Sequence, residues 1–180
     1  MTRCPGPLVA GLALFVVGCT GTNAVKNKAA TSYTKEVASK KTGRTRSVRT
    51  TAYTHTERSH RAYGASNALG TRLQSGNITS AASDWSILPV GTKFRIVDTD
   101  KTYVIDDYGS ALVGKNTIDL YVPSRLLMRR WGARDVTIEI LQEGSYEKSL
   151  KLLEPRKRNR HVRQMVLNLH KKLANDSDTY

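Results

Sequence analysis

Between residues 48 and 145 the apolar positions come in short runs broken by Gly, Asn, Asp and Pro, a spacing that suits many short strands and excludes long helices. The runs predict strands over Val48–Thr54, Ile78–Ala82, Lys93–Val97, Tyr103–Asp107, Thr117–Tyr121 and Val136–Leu141. Asp98-Thr99-Asp100 supplies turn chemistry between the third and fourth of these, and Leu88-Pro89-Val90-Gly91-Thr92 leads into the third through a Pro/Gly turn. Ser124 can cap a short helix running through Arg130, with Met128 and Trp131 facing inward and Gly132 as its terminator. Strands in this number with one small helix predict a mostly β fold closed into a barrel.

The flanks follow different patterns. At the C-terminal side, Val162, Met165, Val166, Leu169 and Leu173 recur at helical spacing, with Arg163, Lys171 and Lys172 on the other faces. Residues 146–180 therefore read as a basic C-terminal helical tail, whose apolar stripe either packs on the barrel or lies on a membrane surface. At the N-terminal side, Arg3 precedes the apolar run Leu8–Val17, which is too short for a transmembrane helix and reads as a secretory signal over residues 1–18. The run ends Val16-Val17-Gly18-Cys19-Thr20, which resembles a bacterial lipobox and makes Cys19 the expected lipidation site. Cleavage after small residues near Thr22 to Ala24, with Cys19 discarded, is the alternative. The lipobox reading implies export to the cell envelope on a membrane anchor. Thr20, rather than an acidic residue, after the cysteine points to an outer-membrane lipoprotein facing the periplasm.

Residues 19–47 are rich in Lys, Thr, Ser and Ala with almost no large apolar side chain, so they cannot bury enough surface to offset ordering and are expected to form a flexible basic tether. That leaves one domain, expected over residues 48–145. Cys4 falls within the signal, so the mature chain keeps at most Cys19 and no internal disulfide.

The formal net charge of +14 would suggest a nucleic-acid partner if it lay on the domain. It does not: residues 51–147 hold 11 Lys/Arg against 11 Asp/Glu, and the excess lies in residues 20–50 (eight basic, one acidic) and 148–180 (nine basic, three acidic). Basic flanks are drawn to any polyanion, including anionic lipid, without choosing among them, so no specific nucleic acid is expected.

Three aspartates stand in small-residue or turn contexts: Ala81-Ala82-Ser83-Asp84-Trp85, then Asp107-Tyr108-Gly109-Ser110-Ala111-Leu112-Val113-Gly114, then Thr117-Ile118-Asp119-Leu120-Tyr121. Carboxyls gathered from separate strands can hold one of their number protonated, because like charges and apolar walls both disfavour ionisation. Strand alternation with Ile118 and Leu120 toward the core puts Thr117, Asp119 and Tyr121 on the opposite face, and of the doublet Asp106 and Asp107 only one can share that face. Gly109 and Gly114 would let a ligand approach the backbone. Tyr53, Trp85 and Tyr121 are either core or stacking platforms, and Tyr108 and Ser110 lie where they can touch the same ligand. His55, Glu57 and His60 lack zinc spacing and are expected at the rim of the cleft, with no metal or other cofactor.

The order Asp, Asp-x-Gly-x-Ala-aliphatic-x-Gly, aliphatic-Asp-x-Tyr resembles the three-aspartate (3D) domain, the double-psi β-barrel module of the membrane-bound lytic transglycosylase A family and its relatives. The resemblance covers roughly Arg49 to Ser145. It implies a six-stranded double-psi barrel and a site that cleaves the β-1,4 bond between N-acetylmuramic acid and N-acetylglucosamine in peptidoglycan glycan strands. By the same resemblance Asp119 is the acid and base, while Asp107 and Asp84 support it or bind substrate. Tyr108 stands where the family often has Thr. A hydrolase would need Asp107 or Asp84 as a second working carboxylate. A non-catalytic wall-binding lipoprotein and a structural tether between membrane and wall are the other readings, since this chain has no second domain to complete a groove.

Overall fold

Strand pairing in this chain joins segments far apart in sequence, and the result is a closed sheet. The computed structural model describes residues 43–58 and 60–177; the expected signal segment 1–18, Cys19 and the tether through residue 42 lie outside the described residues. Strands β1 (Thr45–Tyr53), β2 (Ile78–Ala82), β3 (Lys93–Ile96), β4 (Lys101–Asp107), β5 (Thr117–Tyr121) and β6 (Arg134–Gln142) close in the order β1-β5-β2-β4-β3-β6. β1 runs parallel to β5 and β2 parallel to β4, while the remaining neighbours are antiparallel. This is the expected double-psi barrel. The first strand starts earlier than expected, at Thr45, because its ladder to β6 begins at the Thr45–Glu139 pair, so the tether has ended by then.

Alternating side chains fill the interior. Phe94, Ile96, Ile105, Ile118, Leu120 and Ile138 are fully buried, and Phe94 lies opposite Tyr103 in the β3/β4 register with the rings stacked at 5.4 Å. Helix α1 (Arg125–Trp131) forms where expected: the Ser124 hydroxyl accepts from the Leu127 amide, and Gly132 ends it at φ 66°. Met128 and Trp131 are its half-buried positions, and the Trp131 indole donates to Thr50 Oγ1.

After β6 the chain turns sharply into α2 (Tyr146–Leu153) and then α3 (Arg160–Ser177). The turn requires glycine at 144, where a Cβ would stand 2.5 Å from the carbonyl oxygens of both Pro89 and Val90. Ser145 caps α2 through the Lys148 amide, and Ser149 Oγ accepts from the Val90 amide, so α2 is fastened to the loop leading into β3.

The tail's apolar stripe is packed on the barrel. Leu153, Val162, Met165, Val166 and Leu169 are buried in one continuous core with Trp85, Leu88 and Val90. The membrane-surface alternative for that stripe is therefore set aside, since a face already buried against the barrel is not available to lipid. The described residues from 43 to 177 belong to one compact unit, so the expected boundary at 145/146 separates elements that share a core. Full burial of each such side chain contributes about 1.5–3 kcal/mol. Leu169→Ala and Met165→Ala should each lower unfolding stability by about 2–5 kcal/mol, read as a fall in the urea midpoint with the slope unchanged.

Candidate active site

Asp119 sits at the centre of β5, half-buried, between the fully buried Ile118 and Leu120. The parallel register pairs it with Thr51 of β1, and the Thr51 hydroxyl donates to Asp119 Oδ1 at 2.8 Å. Its second oxygen takes no bond from the described residues. Burial is the largest influence on its carboxyl and, helped by the negative charges of Glu57 and Asp107, pushes the pKa up to about 6 against the opposing Thr51 bond. A carboxyl poised there is able to give and retake a proton near neutral pH.

Asp107 ends β4 in a different environment. Its Oδ1 accepts from the amides of Ala68 at 3.1 Å and Tyr108 at 3.0 Å, and its Oδ2 accepts from the Tyr53 hydroxyl at 3.0 Å. Burial pushes its pKa up, opposed by the Tyr53 hydroxyl, the Tyr108 amide and His60. The Tyr53 hydroxyl is itself held strongly toward its protonated form by burial and by Asp107. With both oxygens committed, Asp107 fixes geometry and charge beside Asp119.

A bulge in the β2/β4 ladder changes the reading of the aspartate doublet. The register steps from Ala81–Ile105 to Ala82–Asp107, so Asp106 is the extra residue. Both carboxyls then reach one loop, Asp106 Oδ2 accepting from Asn67 Nδ2 at 2.9 Å and from Ser80 Oγ at 2.6 Å, next to the Ala68 amide on Asp107. The expectation that only one of the two faces the site assumed an unbroken strand; the bulge brings both carboxyls to the same loop instead.

Several expected site residues are placed elsewhere. Asp84 is 1% exposed; its Oδ1 accepts from the Ser86 amide and hydroxyl and its Oδ2 from the Gly114 amide at 2.7 Å. The crevice beside it, lined by Ser83, Ile87 and Lys115, has no room for a water molecule. Asp84 is thus a buried clamp for two loops. Gly114 is required for its φ of 77°, with its amide on that clamp, rather than for ligand approach. Trp85 is fully buried, its indole donating to the Asp107 carbonyl at 2.8 Å, so it supports the site from inside and cannot stack on a sugar. Tyr53 and Tyr121 lie edge to face at 5.6 Å in a small buried cluster with Leu73, Ala82 and Leu112. Their rings are spent on that cluster and are not platforms. Tyr108 and Gly109 are half-exposed and Ser110 exposed, which leaves all three accessible.

Residues the sequence placed only at a rim complete the picture. His55 Nδ1 lies 2.8 Å from the Tyr121 hydroxyl, His60 packs at 5.4 Å on the Tyr53 ring, and Tyr63 beside it is 70% exposed. Among the described residues His55, Glu57 and His60 do not gather into a metal-holding group. Thr51 was missed altogether. A threonine in a strand carries no local signal, and only the β1/β5 register shows what faces it.

A raised carboxyl has a thermodynamic signature. Below about pH 4 Asp119 is protonated in both folded and unfolded chains; between there and about 6 only the unfolded chain ionises, so stability is lost as pH rises through that window. Asp119→Asn should therefore stabilise the protein at pH 7 by up to about 3 kcal/mol and leave it unchanged at pH 3.5, measured by urea denaturation at both values.

Residues 79–142 match the model of the family described as the 3D domain. The matched segment runs from β2 through β6 and includes Asp84, Asp107 and Asp119. No curated protein matches the chain in sequence. The family match and the closed six-stranded barrel agree with each other: residues 79–142 are similar to the 3D domain, a family associated with peptidoglycan-active, lytic-transglycosylase-like proteins, and the barrel is consistent with that likeness.

Proposed function

We propose that the protein is a lytic transglycosylase acting on peptidoglycan, with Asp119 as its single acid and base. The observation that carries this reading is the asymmetry of the aspartates: Asp84 and Asp107 have both oxygens occupied, whereas Asp119 has one oxygen held by Thr51, one free, and a pKa near 6. Protonated Asp119 gives its proton to the glycosidic oxygen as the C1–O bond to the leaving N-acetylglucosamine breaks. The resulting carboxylate takes the proton of the muramoyl C6 hydroxyl, whose oxygen closes on C1 to form a 1,6-anhydro ring. Asp119 is protonated again and no water is consumed. Because the substrate supplies the nucleophile, one free carboxyl suffices. Tyr108, Gly109, Ser110 and the exposed ring of Tyr63 are the surfaces offered to the glycan.

Purified sacculi incubated with the protein should release 1,6-anhydromuropeptides, detected by mass spectrometry, with rates falling above about pH 6 as Asp119 loses its proton. Asp119→Asn should reduce turnover by at least about a hundredfold while folding and sacculus binding persist. Products with only reducing ends would instead mean hydrolysis, and Glu57, the carboxylate acting most strongly on Asp119, would be its second group. Intact strands with tight binding would replace the enzyme with a wall-binding lipoprotein.

The Val16-Val17-Gly18-Cys19 pattern supports anchoring through acyl chains on Cys19, with Thr20 favouring the outer membrane in a Gram-negative cell. Two or more chains hold a protein far more firmly than one. Cys19→Ser should move the protein to a soluble fraction, and retention on membranes in high salt would rule this anchor out.

A further inference from the structure

The loop at Asn67–Ala68 bonds both buried aspartates of β4: Asn67 Nδ2 donates to Asp106, and the Ala68 amide donates to Asp107. The same peptide segment is gripped from outside the barrel. Arg156 lies in the single turn between α2 and α3, and its Nη1 donates to the Ala68 carbonyl at 2.8 Å. Ala68 is thus held at both ends, its amide by the site and its carbonyl by the C-terminal helices. A second contact supports the same stretch: Tyr108, the residue after Asp107, sits edge-on to buried Trp85 at 5.1 Å and 6.1 Å from the His161 ring of α3. The turn carrying Arg156 is itself fixed, because Leu153 before it and Val162 after it are fully buried, and Glu154 takes bonds from Lys157 and His170. Arg156, His161 and the turn that carries Arg156 lie beyond residue 142, where the family match ends.

We propose that the C-terminal helical pair is a working part of this site, and that Arg156 is a positioning residue which holds the Asn67–Ala68 loop against Asp106 and Asp107. The inference concerns the geometry of the site and shares its location with the proposed activity without depending on it. A guanidinium on a single carbonyl adds an outside anchor to a loop otherwise secured by its own turn bonds and by the two aspartates it supports, and misplacement of a supporting group by about 1 Å is enough to cost on the order of a hundredfold in rate. The exposed neighbour Arg158 carries the same charge on the same turn, and its side chain makes no bond to the loop.

The test is amide hydrogen exchange on the whole protein, read at Ala68 and at Ile118 in the core, for Arg156→Met, Arg156→Lys and Arg158→Met. Exchange at Ala68 should rise by about tenfold or more in Arg156→Met, with Ile118 unchanged, because only local opening is eased. Arg156→Lys, which keeps a donor, should recover most of the protection, and Arg158→Met should match wild type. Wild-type protection of Ala68 in Arg156→Met, or equal loss in Arg158→Met, would overturn the inference. Sacculus digestion gives the functional arm: Arg156→Met should lower the maximal rate on the order of tenfold, and Arg156→Lys should restore it. Failure of every form to cleave sacculi, with the exchange pattern as stated, supports the latch and removes only the proposed activity.

Discussion

β1 is bonded to β5 on one side and to β6 on the other, and this double pairing both closes the barrel and creates the site. The parallel half of it brings Thr51 across from Asp119 and Tyr53 across from Tyr121, residues that are 68 positions apart in each case. Parallel neighbours cannot be joined by a short hairpin, so the intervening chain must cross the barrel, and it does so carrying β2, β3 and β4. The Asn67–Ala68 loop, the bulge at Asp106 and the Asp84 clamp all occur on that crossing segment. Register between β1 and β5 therefore fixes which hydroxyl meets the acid, and a slip by one residue would turn Asp119 into the barrel.

Burial alone does not distinguish the aspartates; the number of donors each receives does. Asp84 and Asp107 each accept three bonds, enough to repay much of the cost of placing a carboxylate away from water. Asp119 accepts one from a side chain and faces two neighbouring negative charges, so its neutral form gains. The arrangement sacrifices stability at neutral pH for a proton held ready, the usual conflict at a site that must do chemistry. Tyr53 links the two situations, since its hydroxyl completes Asp107 while its ring, at the end of the strand that carries Thr51, packs on Tyr121.

The helices after β6 change what counts as the domain. A segment that composition marks as a basic tail contributes buried Leu153, Val162, Met165 and Leu169 to the core beneath Trp85, and Trp85 in turn holds the Asp107 carbonyl. Packing therefore runs without a break from α3 to the site. Its outward faces keep Arg160, Arg163 and Lys171, so the charge excess remains on the surface while the barrel stays balanced.

Much of this architecture was legible from the chain. Short apolar runs bounded by turn residues marked β2 and β5 to the residue, Ser124 and Gly132 bounded α1, and the spacing of Val162, Met165, Val166 and Leu169 marked α3. These are local patterns, set by alternation, capping and the helical period, and they need no knowledge of distant segments. The prominence of Asp119 followed from alternation too, together with the motif it stands in. What sequence could not show was which atoms meet. Thr51 as the partner of Asp119, the bulge that admits both Asp106 and Asp107, the retirement of Asp84, Trp85, Tyr53 and Tyr121 into structural work, and the grip of Arg156 on Ala68 all depend on register and on contacts between remote segments. Local propensity is blind to such pairings because they are chosen by the closure of the whole barrel, where one strand's side chains find their neighbours only after every other strand is in place.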